Sequence, residues 1–70
     1  MTLKQLLLVL DCSTIKICYA GFGQRIYKGP LKEIPENILE HYNSFYVTLI
    51  IPELDNAYIE IHENKNFIGE

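Results

Sequence analysis

Phe45-Tyr46-Val47-Thr48-Leu49-Ile50-Ile51-Pro52-Glu53-Leu54-Asp55-Asn56-Ala57-Tyr58-Ile59-Glu60-Ile61 is the most apolar and most clearly patterned run of this chain. Phe45, Val47, Leu49 and Ile51 alternate with Tyr46, Thr48 and Ile50, and the alternation resumes after residues 52–56 with Ala57, Ile59 and Ile61. A period of two on either side of a proline-containing turn predicts a β-hairpin. Pairing across a five-residue loop sets Ile51 against Ala57, Leu49 against Ile59 and Val47 against Ile61, which gives one wholly apolar face. The other face then pairs Ile50 with Tyr58, Thr48 with Glu60 and Tyr46 with His62.

An apolar hairpin face needs a cover, and the start of the chain supplies one. Thr2 followed by Gln5 is a capping-box pattern, so a helix should begin there. Leu3, Leu6, Leu7 and Leu10 fall on one stripe, widened by Leu8 and Val9. A helix this short is not stable alone and must lie on a sheet. Asp11-Cys12-Ser13-Thr14 breaks the pattern, and Ile15–Ala20 and Arg25–Lys28 then read as strands joined by a turn at Gly21-Phe22-Gly23-Gln24. Gly29-Pro30 ends the second of them, a short helix starts at Pro35, and Asn43 is expected to stop it in the left-handed conformation.

The expected architecture is α+β, ordered α-β-β-α-β-β, with a four-stranded antiparallel sheet, one main helix packed on one face and a second short helix. Residues 1–62 form a single domain and residues 63–70 a polar C-terminal tail, in which Phe67 and Ile68 are the apolar exceptions. At 70 residues the core is small, and such a domain often gains stability from a partner or from copies of itself.

Composition narrows the function. The chain is 49% hydrophobic and carries a net charge of −3. The charge is uneven: residues 1–32 hold five cations against one acid, whereas residues 33–70 hold one cation against eight acids. The apolar run Leu6–Leu10 is too short for a signal peptide, and nothing reaches the ~20 apolar residues of a membrane span. A cytoplasmic protein without membrane association is expected. Cys12 and Cys18 match neither a disulfide framework nor a redox pair and read as reduced thiols. Gly21-x-Gly23 precedes a strand, not a helix, so it is a turn and not a phosphate loop. His41, His62 and the two cysteines lack metal-ligand spacing, and no carboxylate or histidine pair has the setting of an acid–base site. No enzyme activity, cofactor or metal is expected.

Two surfaces remain. The mixed face of the 45–61 hairpin, Tyr46, Thr48, Ile50, Tyr58, Glu60 and His62, is rich in aromatic area and suits a protein partner or self-association. The first hairpin interleaves Lys16, Arg25 and Lys28 with Tyr19, Phe22 and Tyr27, which suits a small anionic, nucleotide-like ligand captured by a homo-oligomer. Three cations are few for a nucleic-acid track, and the acidic half repels an extended polyanion, so direct nucleic-acid binding is not expected.

The opening Met-Thr-Leu-Lys-Gln-Leu-Leu, the strand Ile15-Lys16-Ile17, the segment Tyr27–Pro35 and the closing alternating strand resemble the small accessory proteins of bacteriophages and prophages of Gram-positive bacteria. The resemblance implies a non-catalytic viral protein in the host cytoplasm that binds a host protein or defence complex, as an anti-defence inhibitor would. It transfers no functional residue.

Overall fold

Thr2 opens the first helix as the sequence requires. Its hydroxyl accepts the Gln5 N–H at 3.3 Å while the Gln5 side chain accepts the Thr2 N–H at 2.9 Å, so two helix-end donors are satisfied reciprocally. In the computed structural model, which describes residues 1–21 and 23–64, this helix is α1 (Leu3–Val9). It is followed by β1 (Thr14–Tyr19), β2 (Gln24–Pro30), a 3-10 turn (Leu31–Glu33), α2 (Glu36–Tyr42), β3 (Tyr46–Pro52) and β4 (Asn56–His62). Residues 65–70, with Phe67 and Ile68 of the expected tail, lie outside the described residues, as does Phe22.

The protein is α+β in the expected order, with one correction. The sheet runs β2-β1-β4-β3, and its central pair, β1 and β4, is parallel. The two hairpins remain antiparallel, and the α2 crossover brings them together side by side. Burial explains which strands take the middle. Ile15, Ile17 and Cys18 of β1 and Ala57, Ile59 and Ile61 of β4 are buried, whereas β2 and β3 contain no buried residue. Strands paired on both sides need the most apolar sequences.

Leu3 and Leu6 of α1 close the core over Ile15, Ile17, Ala57, Ile59 and Ile61, with Leu7, Leu10, Leu31, Ile34, Tyr42, Phe45 and Val47 around its rim. Fully burying one such aliphatic side chain is worth about 1.5–3 kcal/mol, so this handful of residues supplies most of the stabilisation. The expected widening of the α1 stripe does not occur. Leu8 is 77% and Val9 71% exposed, because a seven-residue helix rests on the sheet through a single narrow stripe. The start of α1 is fixed by backbone bonds to the turn ahead of β3, from Leu3 N–H to Phe45 O at 2.8 Å and from Lys4 N–H to Asn43 O at 3.1 Å.

Two turns depart from expectation in different ways. Gly21 and Gly23 take positive φ, 88° and 68°, as the β1–β2 turn needs. Asn43 is not left-handed but stays helical at φ −55°, ψ −35°, because Phe45 N–H returns to Tyr42 O and carries the chain around without a reversal of hand.

The β3–β4 register is also corrected. Tyr46 pairs with His62 and Val47 with Ile61 as anticipated, but beyond a bulge at Thr48 the partners become Leu49 with Glu60, Ile50 with Ile59, Ile51 with Tyr58 and Pro52 with Ala57. The turn closes one residue tighter, sealed by Glu53 N–H to Asn56 O at 2.8 Å. It is anchored from outside the hairpin: the Asp55 carbonyl accepts the Ser13 and Thr14 N–H groups, its carboxylate also accepts Ser13 N–H at 3.1 Å, and the Thr14 hydroxyl donates to the Asn56 side chain. The bulge takes up the extra residue, so the slip is local.

Candidate interaction face on the open side of the sheet

Side chains that pair across a ladder share a face, so the registers determine what the sheet shows on the side away from α1. Lys16 stands opposite Lys28 on one neighbour and Tyr58 on the other, Cys18 opposite Glu60, and Ile51 and Leu49 opposite Tyr58 and Glu60. Tyr58 is the centre of this surface. Its hydroxyl donates to the Glu60 carboxylate at 2.7 Å, and the Lys16 ammonium lies 5.7 Å from its ring centroid. The bond to Glu60 holds the phenol proton well above the ordinary tyrosine value of 10.0, helped by burial and by the Cys18 thiol next to it. Cys18 is itself sealed beneath these side chains, at 2% exposure.

Of the residues expected on the hairpin's mixed face, Tyr58, Glu60 and Thr48 are together here, with the Thr48 hydroxyl donating to Glu60 O at 3.2 Å. Tyr46 and His62 pair at the far end of the sheet, where His62 stands edge-on to Tyr19 at 5.1 Å and Tyr19 donates to the Glu63 carboxylate. Ile50 is corrected to the helix side, opposite buried Ile59, because the bulge shifts it by one place. Leu49 and Ile51 take its position on the open face. Their exposure, 41% and 45%, was not readable from the sequence, since nothing within the hairpin marks Thr48 as the bulged residue.

The first hairpin's residues divide. Lys16 and Lys28 line a cleft of about 410 Å³ with Thr14, Glu53, Asn56 and Tyr58. Arg25 instead stands beside the irregularity at Ile26 and lines a separate groove with Ile38, His41 and Tyr42 of α2. Tyr27 turns to the helix side opposite buried Ile17, and its hydroxyl donates to Pro30 O at 2.8 Å. The structure therefore does not assemble Lys16, Arg25, Tyr27 and Lys28 into one site.

An aromatic cluster at the end of the sheet was missed altogether. Phe45 packs edge-on to Tyr42 at 5.0 Å and to Tyr19 at 6.2 Å, and His41 stands 4.5 Å from Tyr42. The density of rings in residues 41–46 was the available signal.

Family models, curated proteins and solved structures give no match to this chain. Among the described residues, no helix is long and apolar enough to cross a membrane, and no three His, Cys, Asp or Glu side chains converge as a metal site would require.

Proposed function

We propose that this chain is a non-catalytic protein-binding module, and that the open sheet face is its working surface. The observation that carries the reading is the combination around Tyr58: an anchored aromatic ring, Leu49 and Ile51 exposed on one side of it, and Lys16 with Lys28 on the other. Interfaces centre on aromatic residues with a polar rim. Because Glu60 already restrains the Tyr58 ring, little side-chain freedom remains to be lost on binding. The complementary partner is a protein surface that places carboxylates beside an apolar patch. In the phage-type setting that the sequence resembles, this partner is a host or defence component, and the module acts by occupying it.

The test is a binding assay against the captured partner. Tyr58→Ala combined with Leu49→Lys should weaken binding by at least about 100-fold, as expected when a central anchor and its neighbour are removed. Leu8→Lys on the helix side should leave it unchanged. Equal binding by all three proteins would overturn the assignment of the face.

A second reading is favoured by the Lys16–Lys28 pair. Like charges directly opposite on adjacent strands repel, and a small nucleotide-like anion in the cleft beside Tyr58 would relieve that repulsion. On this reading the protein sequesters its ligand, and Lys16→Glu with Lys28→Glu abolishes uptake, whereas Arg25→Glu does not. Native mass spectrometry of protein purified from cells would detect the ligand as added mass.

A further inference from the structure

The two edges of the sheet are built differently. β2 carries Arg25, Lys28, an irregularity at Ile26 and a terminal Pro30, the features that blunt an edge against pairing. β3 has no charged residue from Tyr46 to Pro52, and Leu49, Ile50 and Ile51 are 41%, 39% and 45% exposed in succession. These three alternate between faces. A partner docked flat on the open face covers Leu49 and Ile51 and leaves Ile50, while a strand laid along the edge covers all three.

The backbone points the same way. Val47 turns its N–H away from β4, donating to Met1 O at 2.8 Å, and Thr2 bridges Tyr46, so the first part of this edge is already occupied. In an antiparallel ladder, residues turn their backbone groups alternately toward and away from the neighbouring strand. Val47 pairs with Ile61 and Ile50 with Ile59, two places along β4, so Ile50 also turns its N–H and C=O outward. Pro52 follows with an outward carbonyl and no donor. The open edge is thus Leu49–Pro52, bounded by Met1 at one end and proline at the other.

We infer that this edge pairs with the same edge of a second copy, antiparallel and centred on Ile50, to form a dimer with one continuous eight-stranded sheet. Around a two-fold axis the two Ile50 residues exchange both N–H···O=C bonds, and Leu49 of each copy meets Ile51 of the other. The short free stretch of one copy is matched in length by that of the other, whereas a longer strand would collide with Met1 and Thr2. The paired stretch ends with Pro52 against the other copy's Thr48, short of Met1, and Glu53 turns into the loop with its N–H on Asn56 O instead of meeting its own twin, so no like charges meet. Because the β2 edge is guarded, a head-to-tail β3-to-β2 contact is disfavoured, and assembly closes at two copies instead of growing into a fibre. Three partly exposed aliphatic side chains per copy offer far less than the ~800 Å² half-share of a stable interface, so the dimer forms reversibly. It sets two open faces side by side. The inference does not depend on what those faces bind.

Sedimentation velocity from about 10 μM to about 1 mM tests it. The expected result is a concentration-dependent shift from monomer to dimer with nothing larger, weakened at least about tenfold by Ile50→Lys. Ile50→Pro removes the outward donor without touching a β4 bond and should act likewise, with circular dichroism reporting that the fold is kept. In the unmodified protein, hydrogen exchange at the Ile50 amide should slow as concentration rises. A protein that stays monomeric throughout, with Ile50 exchange independent of concentration, or a dimer insensitive to Ile50→Lys, would overturn the inference.

Discussion

The Tyr58 hydroxyl donates to the Glu60 carboxylate at 2.7 Å, two residues along the same strand and on the face that no helix covers among the described residues. A bond between neighbours on one strand adds nothing to topology. Its effect is to orient a ring at the centre of the surface and to keep the phenol protonated.

That bond has a pH signature. Tyr58 is raised above the ordinary tyrosine value of 10.0, first by the bond to Glu60, then by burial and Cys18. A group whose value is raised on folding contributes stability that is complete below its unfolded value and is lost as pH rises through the folded one. Urea unfolding from neutral pH to about pH 11 should therefore show stability falling above pH 10. The fall should be smaller in Tyr58→Phe, which at neutral pH is destabilised by about 1 kcal/mol for the lost hydrogen bond. Parallel curves for the two proteins would contradict this.

Gly29 is fixed twice, by a φ of 156° that L side chains rarely adopt and by its neighbour. A Cβ at this position would lie 2.9 Å from the Tyr27 hydroxyl oxygen and 3.2 Å from the ring carbon that bears it. Gly29→Ala must displace the ring and break its bond to Pro30, at a cost of roughly 1–3 kcal/mol. In a Tyr27→Ala background the contact part of the cost should vanish while the backbone strain at φ 156° remains, and a double-mutant cycle by chemical denaturation measures the difference.

The two thiols should react differently. Cys12 is partly accessible, and its thiol is raised from 9.0 by burial and by the nearby Asp55 and Asp11 carboxylates, whereas Cys18 is buried. Alkylation of the native protein should modify Cys12 alone, slowly at neutral pH, with a rate that is still climbing above pH 9. The Asp55→Asn variant should react faster near pH 8, because one carboxylate that disfavours the thiolate is gone.

At the start of the chain, Thr2→Ala removes the helix cap and should destabilise the protein by about 1 kcal/mol. Because Thr2 also bridges Tyr46, amide exchange at Val47, whose N–H is held by Met1, should accelerate with it.

Element order was legible because its signals are local: the Thr2–Gln5 box, the alternation of Ile15–Tyr19 and Ala57–Ile61, and the glycines of the first turn. What was not legible depends on distant contacts. Ser13 and Thr14 hold Asp55 and Asn56 from 42 residues away, which tightens the β3–β4 turn and leaves Thr48 as the bulge. That slip exchanged Ile50 for Leu49 and Ile51 on the candidate face. Strand order was equally hidden, since alternation tells a strand which side is apolar but not which neighbour it will have. The parallel β1–β4 pair set Tyr58 next to Lys16, while Arg25, beside the Ile26 irregularity, lines a groove with α2 apart from Lys16 and Lys28.

The binding face is tested most directly by photo-crosslinking in the cell from which the protein derives, with a benzophenone amino acid at Lys28, on the rim of the open face, or at Glu40, on the exposed side of α2. The open-face account predicts one crosslinked protein from position 28, lost when Tyr58→Ala is added, and none from position 40. Crosslinking from position 40 with none from position 28, or crosslinking from position 28 that persists without Tyr58, would contradict it.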